Sequence, residues 1–198
     1  MKARWAVRIG TLVAVVLLTL VALDDWRESE EASTPLVWKQ QYQSSLFLPL
    51  RERSLTLAEV SRTLGEAGLW LVSADGEPRL VSRYSLDSDG QRWQVQAAIE
   101  LDQQQTAGLV DAQGWQADMA DQPISPAVGE ALAHHSVARL SLMPEQPLTL
   151  LRIAATFGSA DWQMPVGGGE AWIYGREGVV VSVANGQAHS IMFGLRQD

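Results

Sequence analysis

The side chains best suited to metal binding are two adjacent histidines and a glutamate that precedes them. Glu130 and His134 are about one helical turn apart, so they would project from the same face of a helix, with His135 beside them. A functional zinc site needs three or four ligands, and the neighbouring sequence supplies no further cluster. The pattern therefore favours a solvated helix end, with histidines near the negative end of the helix dipole, and predicts no metal ligand.

The sequence contains no arrangement of nucleophile, acid and base that is typical of catalysis. There is no Gly-x-Ser-x-Gly motif, and no cysteine for thiol chemistry, disulfides or zinc–thiolate binding. The three glycines at 167–169 lack the following Lys-Ser/Thr of a phosphate-binding loop and precede a predicted strand. Asp118 and Asp121 have no partner at a spacing that indicates acid–base work. We predict no catalytic residue and no cofactor, and that the protein is not an enzyme.

The amino-terminal segment has the pattern of a membrane anchor. Residues 9–23 carry no charge, three cations precede them, and Asp24 and Asp25 follow. A helix over this segment would be roughly 22 Å long at about 1.5 Å per residue. The positive-inside rule predicts a single-pass protein of the bacterial inner membrane, with its amino terminus in the cytoplasm and the remaining chain in the periplasm. The predicted anchor residues are Ile9, Leu12, Val16, Leu20 and Leu23.

A cleaved secretory signal peptide is the alternative interpretation, because its apolar region is about 7 to 15 residues long. Cleavage requires small residues in an Ala-x-Ala pattern, whereas this segment ends Leu20-Val21-Ala22-Leu23. The sequence therefore favours an anchor that is kept. In both interpretations the rest of the chain leaves the cytoplasm.

The acidic composition restricts the class of partner. The chain of 198 residues has a net charge of −8 and a sequence pI of about 4.9. Nucleic acid requires cations that neutralise its phosphates, so this composition argues against it. The length is sufficient for one domain with a hydrophobic core, or for two small halves. We therefore expect a protein partner, besides the membrane itself.

The order of patterns along the chain predicts the architecture. The predicted parts are an anchor at 1–23, a juxtamembrane spacer and apolar arm at 24–54, a first α+β unit with a connecting loop at 55–125, and a second α+β unit at 126–198. Residues 55–65 match residues 148–158, and each copy has a capping threonine, an apolar helix face and a final glycine. Strands joined by turns follow each copy, including the hairpin signal Asn185-Gly186. The sequence predicts an α+β fold: one transmembrane helix, then two helix-plus-antiparallel-meander units in a tandem repeat.

A second-half motif runs from a threonine and a short helix through a Trp-x-Tyr strand to a hairpin. Its positions are Leu148, Thr149, Leu150, Ile153, Phe157, Gly158, Trp172, Ile173, Tyr174 and the segments 178–181 and 186–191. With these positions, residues 147–195 resemble the SmpA/OmlA (BamE-type) domain of outer-membrane assembly lipoproteins. They are also similar to the related fold of tandem β-lactamase-inhibitor proteins, in which two such units lie side by side. The resemblance implies a binding module without enzymatic activity.

Large apolar side chains outside the predicted core mark candidate partner contacts. These are Leu46, Phe47 and Leu48 in the apolar arm, and Trp115 and Trp162 in predicted loops. Packing of the arm on the core is the alternative. The function predicted from these features is binding of another envelope protein, as an accessory subunit of an envelope assembly or secretion complex. The alternative function is a periplasmic sensor for a small ligand or cell wall, with its site in the cleft between the two halves.

Overall fold

A short helical arm begins the part of the chain that the computed structural model describes, which is residues 33–74 and 76–195. The arm consists of α1 (Val37–Gln41), a π-helical turn (Gln43–Phe47) and α2 (Leu48–Arg51). It buries the side chains of Leu36, Trp38, Leu46, Phe47 and Leu50. The arm that the sequence assigned to a juxtamembrane segment is therefore part of the hydrophobic core.

The repeated segment forms two equivalent helices, as predicted. The helices after the arm are α3 (Leu57–Leu64), α4 (Gln103–Gln113), α5 (Pro126–Ala131) and α6 (Leu150–Phe157). Thr56 begins α3 with a capping box, in which its backbone N–H donates to the Glu59 carboxylate at 2.8 Å. Thr149 caps α6 through its hydroxyl oxygen. Gly65 and Gly158 end the two helices with φ values of 93° and 78°, which a side chain would strain.

Ten antiparallel strands form one sheet. They are β1 (Gly68–Ala74), β2 (Glu77–Ser88), β3 (Gln91–Ile99), β4 (Gln122–Ile124), β5 (Val137–Pro144), β6 (Leu148–Thr149), β7 (Trp162–Val166), β8 (Gly169–Tyr174), β9 (Val179–Ala184) and β10 (Gln187–Phe193). Their order in the sheet is β4-β1-β2-β3-β5-β10-β9-β8-β7, and β6 pairs with β10. The predicted Asn185-Gly186 turn joins β9 to β10 with φ values of 52° and 74°, as a tight hairpin requires.

The continuous sheet corrects the predicted fold class. Strand β5 lies between the two halves, with Leu142 opposite Val95 of β3 on one side and Ile191 of β10 on the other. The prediction of an α+β fold made of two helix-plus-meander units is therefore wrong, because one mostly antiparallel sheet with few helices spans both halves. Alternating polarity locates a strand along the chain but does not determine which strand it pairs with.

The core lies on one face of this sheet. Trp38 is at its centre, and its ring centroid is 5.3 Å from that of Trp93, 5.7 Å from Phe47 and 6.0 Å from Phe193. A second, smaller cluster contains Trp115 and apolar residues of β1 and β4, with partly buried side chains of α4 and α5 packed against it. The amino-terminal arm thus connects the sheet to its helical layer.

The predicted anchor residues Ile9, Leu12, Val16, Leu20 and Leu23 lie outside the described residues. The longest described helix, α4, has 11 residues. Over 33–74 and 76–195, no helix combines the length and the apolar character needed to cross a membrane.

Candidate partner-binding surface

Strand register separates the side chains of the second half of the sheet into a buried row and an accessible row. Tyr174, Val179 and Phe193 lie opposite one another on β8, β9 and β10 and are buried. Their chain neighbours point to the other side, because successive side chains of a strand alternate between faces. We call this second surface the open face. Its residues are Trp162, Met164, Val166, Ala171, Ile173, Val180, Ser182, Ala184, Ser190 and Met192.

Strand β7 exposes the largest apolar side chains of the open face. Trp162 is 67 % exposed, Met164 48 % and Val166 55 %. Trp162 lies opposite Ile173, and Met164 opposite Ala171, so the strip continues onto β8. A contiguous row of exposed apolar side chains is a feature that marks interaction sites.

Glycines after β7 position this strip. Gly167, with a φ of 58°, and Gly168 form the two-residue turn that returns the chain to β8. A side chain at Gly169 would collide with the backbone carbonyl of Val183 in β9. The glycine run that superficially resembles a phosphate loop is therefore a hairpin turn that holds β7 at the edge of the sheet.

The open face carries no charged side chain, although the chain as a whole has a net charge of −8. Charged residues are depleted at the centre of protein interfaces, whereas tryptophan and methionine are enriched there. The composition of the open face is therefore that of an interface centre.

Pro165 lies within β7, which is an edge strand of the sheet. Proline has no backbone N–H and is confined to edge strands, where it hinders pairing with a further strand. The flat face of β7 is consequently better suited to contact than its edge. This favours docking of side chains over the strand addition that an exposed edge would otherwise permit.

The five residues predicted to contact a partner differ in how far they are exposed to solvent. Leu46, Phe47 and Trp115 are 2 %, 6 % and 6 % exposed and pack among core residues, so they are not accessible on the surface of the described chain. Leu48 is partly buried beside them in the arm. Trp162 is accessible on the open face. Met164 and Val166 were not predicted to lie beside it, because the segment assigned to a loop at Trp162 is strand β7.

Among the described residues, the side chains considered for metal or acid–base chemistry do not form one cluster. His135 lies 3.4 Å from the Gln105 side-chain nitrogen, and Asp121 pairs with Arg83. Among residues 33–74 and 76–195, no group of three or more histidine, aspartate or glutamate side chains is arranged to hold a metal ion.

Among the residues that the structure describes, two ionisable side chains have a shifted pKa, and both shifts have structural causes. Burial raises the pKa of Tyr174 to about 12, and the nearby charge of Glu177 acts in the same direction. The Tyr174 hydroxyl also has no hydrogen-bond partner. The hydrogen bonds from the backbone and hydroxyl of Thr56 lower the pKa of Glu59 at the start of α3. Neither group lies on the open face.

No protein-family model, curated protein or solved structure matches the chain. None of these comparisons identifies an SmpA/OmlA domain. The resemblance of residues 147–195 to that family stays a prediction that rests on its motifs alone.

Proposed function

We propose that this chain is a non-catalytic module that binds another envelope protein through the open face. The observation that supports the proposal is the exposure of Trp162, Met164 and Val166 in one line on β7. A tryptophan gives a rigid anchor for a partner, and a methionine beside it adapts to the shape of that partner. In this role the protein is an accessory subunit of an assembly or secretion complex.

The proposed location is the bacterial inner membrane, with the open face on the periplasmic side. The uncharged segment 9–23, the cations before it and the aspartates after it support this orientation. If the chain is released from membranes without detergent, the proposed location is wrong. That result would not affect the proposed contact through the open face.

The partner surface that fits the open face is apolar at its centre. It must cover an uncharged strip, because a buried charge without a counter-charge would oppose binding. The net charge of −8 of the whole chain favours basic side chains on the rim of the partner. A partner of this kind would bind less tightly, and more slowly, as the salt concentration rises.

Site-specific photocrosslinking in intact cells tests the contact. A benzophenone amino acid replaces Trp162 in one variant and Leu151 in the control, because Leu151 is similarly exposed at 66 % but lies on α6. We expect position 162 to give a discrete crosslinked protein that position 151 does not give. Equal crosslinks at both positions, or none at 162, would show that the open face is not the docking surface.

Substitution of Trp162 by alanine tests the energetics once the crosslinked protein is purified. A central interface tryptophan contributes about 2 kcal/mol or more, so the Kd should rise by about 30-fold. The free energy of unfolding should change by less than about 0.5 kcal/mol, because the side chain is exposed. The control Leu151→Ala should leave the Kd unchanged.

A further inference from the structure

A cavity of about 210 Å³ lies where the arm, the start of β5 and the end of β10 meet. Its wall includes the apolar side chains of Phe47, Leu50, Val137 and Phe193. It shares no residue with the open face, so an inference about it goes beyond the proposed function. The cavity lies beside β5, the strand that joins the two halves of the sheet.

Three arginines line this cavity in a chain that is acidic overall. Arg51 and Arg53 come from the end of α2, and Arg176 comes from the turn between β8 and β9. None of the three belongs to the ion pairs found among the described residues. Their guanidinium groups are exposed and thus accessible to a ligand.

Two carboxylates, Glu177 and Glu100, also line the cavity. Glu177 forms an ion pair with Lys39, whose Nζ lies 2.8 Å from a carboxylate oxygen of Glu177. The backbone N–H of Glu100 donates to the carbonyl of Ser136, beside the start of β5. Three arginines thus share the lining with two carboxylates, so the net charge of the lining is opposite in sign to that of the whole chain. Guanidinium groups bind phosphate and carboxylate oxygens in a paired geometry.

The backbone at Arg53 is unusual for an arginine. Its φ is 60°, and the bonds from Arg53 N–H to the Leu50 carbonyl (3.1 Å) and from Ser54 N–H to the Pro49 carbonyl (2.9 Å) close a Schellman motif at the end of α2. Glycine is the usual residue at this position, because a side chain strains the left-handed conformation. Strain of this kind persists at functional sites. Here it accompanies a guanidinium group at the mouth of the cavity.

We propose that this cavity binds a small ligand with one oxyanion group and a short apolar part. Arg51, Arg53 and Arg176 contact the phosphate or carboxylate oxygens, and the apolar part rests against Leu50 and Phe193. No bond is made or broken. An ester of a soluble metabolite and the headgroup region of an anionic lipid share this chemistry.

Isothermal titration of the purified full chain with hexyl phosphate tests the proposal, with inorganic phosphate and hexanol as reference probes. We expect hexyl phosphate to bind more tightly than either reference, because only it engages the arginines and the apolar wall together. Absence of binding at millimolar hexyl phosphate, or equal binding of hexanol, would overturn the proposal.

Arg53→Gly separates binding from folding. It should leave the Tm unchanged or raise it, because glycine suits the left-handed position, while hexyl phosphate binding weakens about 10- to 100-fold through loss of one charged contact. Arg176→Gln should weaken binding to a similar extent. The matched control Arg139→Gln, at an exposed arginine of β5 outside the cavity, should bind as the wild type does. Wild-type affinity in both cavity variants, or an equal loss in the control, would refute the assignment.

The source of the oxyanion follows from one further titration. Dihexanoyl phosphatidylglycerol, dissolved below its micellar concentration, presents a singly charged phosphodiester on a lipid headgroup. Tighter binding of this probe than of hexyl phosphate assigns the cavity to a lipid. Weaker binding assigns it to a soluble ester. Trp162→Ala should affect neither titration, so failure of the docking proposal and failure of this one are distinguishable.

Discussion

Replacement of Trp38 by alanine tests whether the amino-terminal arm holds the fold together. The side chain is 0 % exposed and contacts the rings of Trp93, Phe47 and Phe193 edge to face. Truncation of a buried tryptophan costs about 3–5 kcal/mol, and each aromatic contact contributes about 0.5–1.5 kcal/mol beyond its buried area. The expected loss is therefore about 4 kcal/mol, a large part of the free energy of unfolding of a single domain.

Trp38→Phe is the matched control, because the indole N–H has no hydrogen-bond partner in the core. Phenylalanine keeps a ring against the same neighbours and removes the buried indole N–H, which costs about 1–3 kcal/mol when it is unpaired. Removal of that cost offsets part of the packing energy that the smaller ring loses. We expect Trp38→Phe to lower the free energy of unfolding by less than about 2 kcal/mol.

Urea unfolding followed by far-ultraviolet circular dichroism measures both variants. With an m-value of about 2 kcal/mol/M, the unfolding midpoint should fall by about 2 M for Trp38→Ala and by less than about 1 M for Trp38→Phe. A fall below about 0.3 M for the alanine variant would show that the arm does not belong to the cooperative core. Equal falls for both variants would show that the unpaired N–H is not a cost.

Other substitutions test the caps, the ionisable groups and the close backbone approaches. Thr56→Ala should lower the free energy of unfolding by about 1 kcal/mol in urea. Thr56 lowers the pKa of Glu59 in the folded protein below its ordinary value of 4.5. The stabilisation linked to this carboxylate is therefore present above pH 4.5 and is lost as the pH falls through the lower folded pKa. The effect of Thr56→Ala on the free energy of unfolding should accordingly shrink in acid. Tyr174→Phe removes a buried hydroxyl without a partner and should be neutral or stabilising. Burial raises the pKa of Tyr174 from 10.0 to about 12. The stabilisation linked to its neutral form is therefore full below pH 10.0 and is lost as the pH rises towards 12. Absorbance at about 295 nm should show a late-ionising tyrosine that is absent from Tyr174→Phe. Gly194→Ala should lower the free energy of unfolding by several kcal/mol, because the new Cβ would lie 2.5 Å from a carbonyl oxygen of β5. In the same urea assay Gly186→Ala should lower it by only about 1 kcal/mol, because a Cβ there meets open space.

Local patterns predicted local structure well. The two capped helices and the Asn185-Gly186 hairpin depend on neighbours within a few residues, and each forms at its predicted place. Helix α4 was missed because its glutamine-rich sequence has no buried face. The signal that could have located it is the capping box between Asp102 and Gln105.

Long-range arrangement was not predictable in the same way. Phe47 and Trp162 are both large and apolar, yet one is buried beside Trp38 and the other is exposed on β7. The difference depends on which strands become neighbours, and hydrophobicity carries no such information. The arginine cluster was not predictable for the same reason, because Arg53 and Arg176 are far apart along the chain and line one cavity only in the folded structure.

The contact between the arm and β10 has a consequence for how the protein is made. Phe193 stacks on Phe47 with ring centroids 4.0 Å apart, and β10 also pairs with both β5 and β9. A ribosome releases the arm well before β10, so the aromatic rings of the arm lack their contacts with Phe193 until β10 has emerged. Chains whose contacts join residues far apart in sequence fold slowly and expose apolar, aggregation-prone surface until they have folded. We expect the nascent polypeptide to need a holding chaperone, and any truncation before β10 to be degraded.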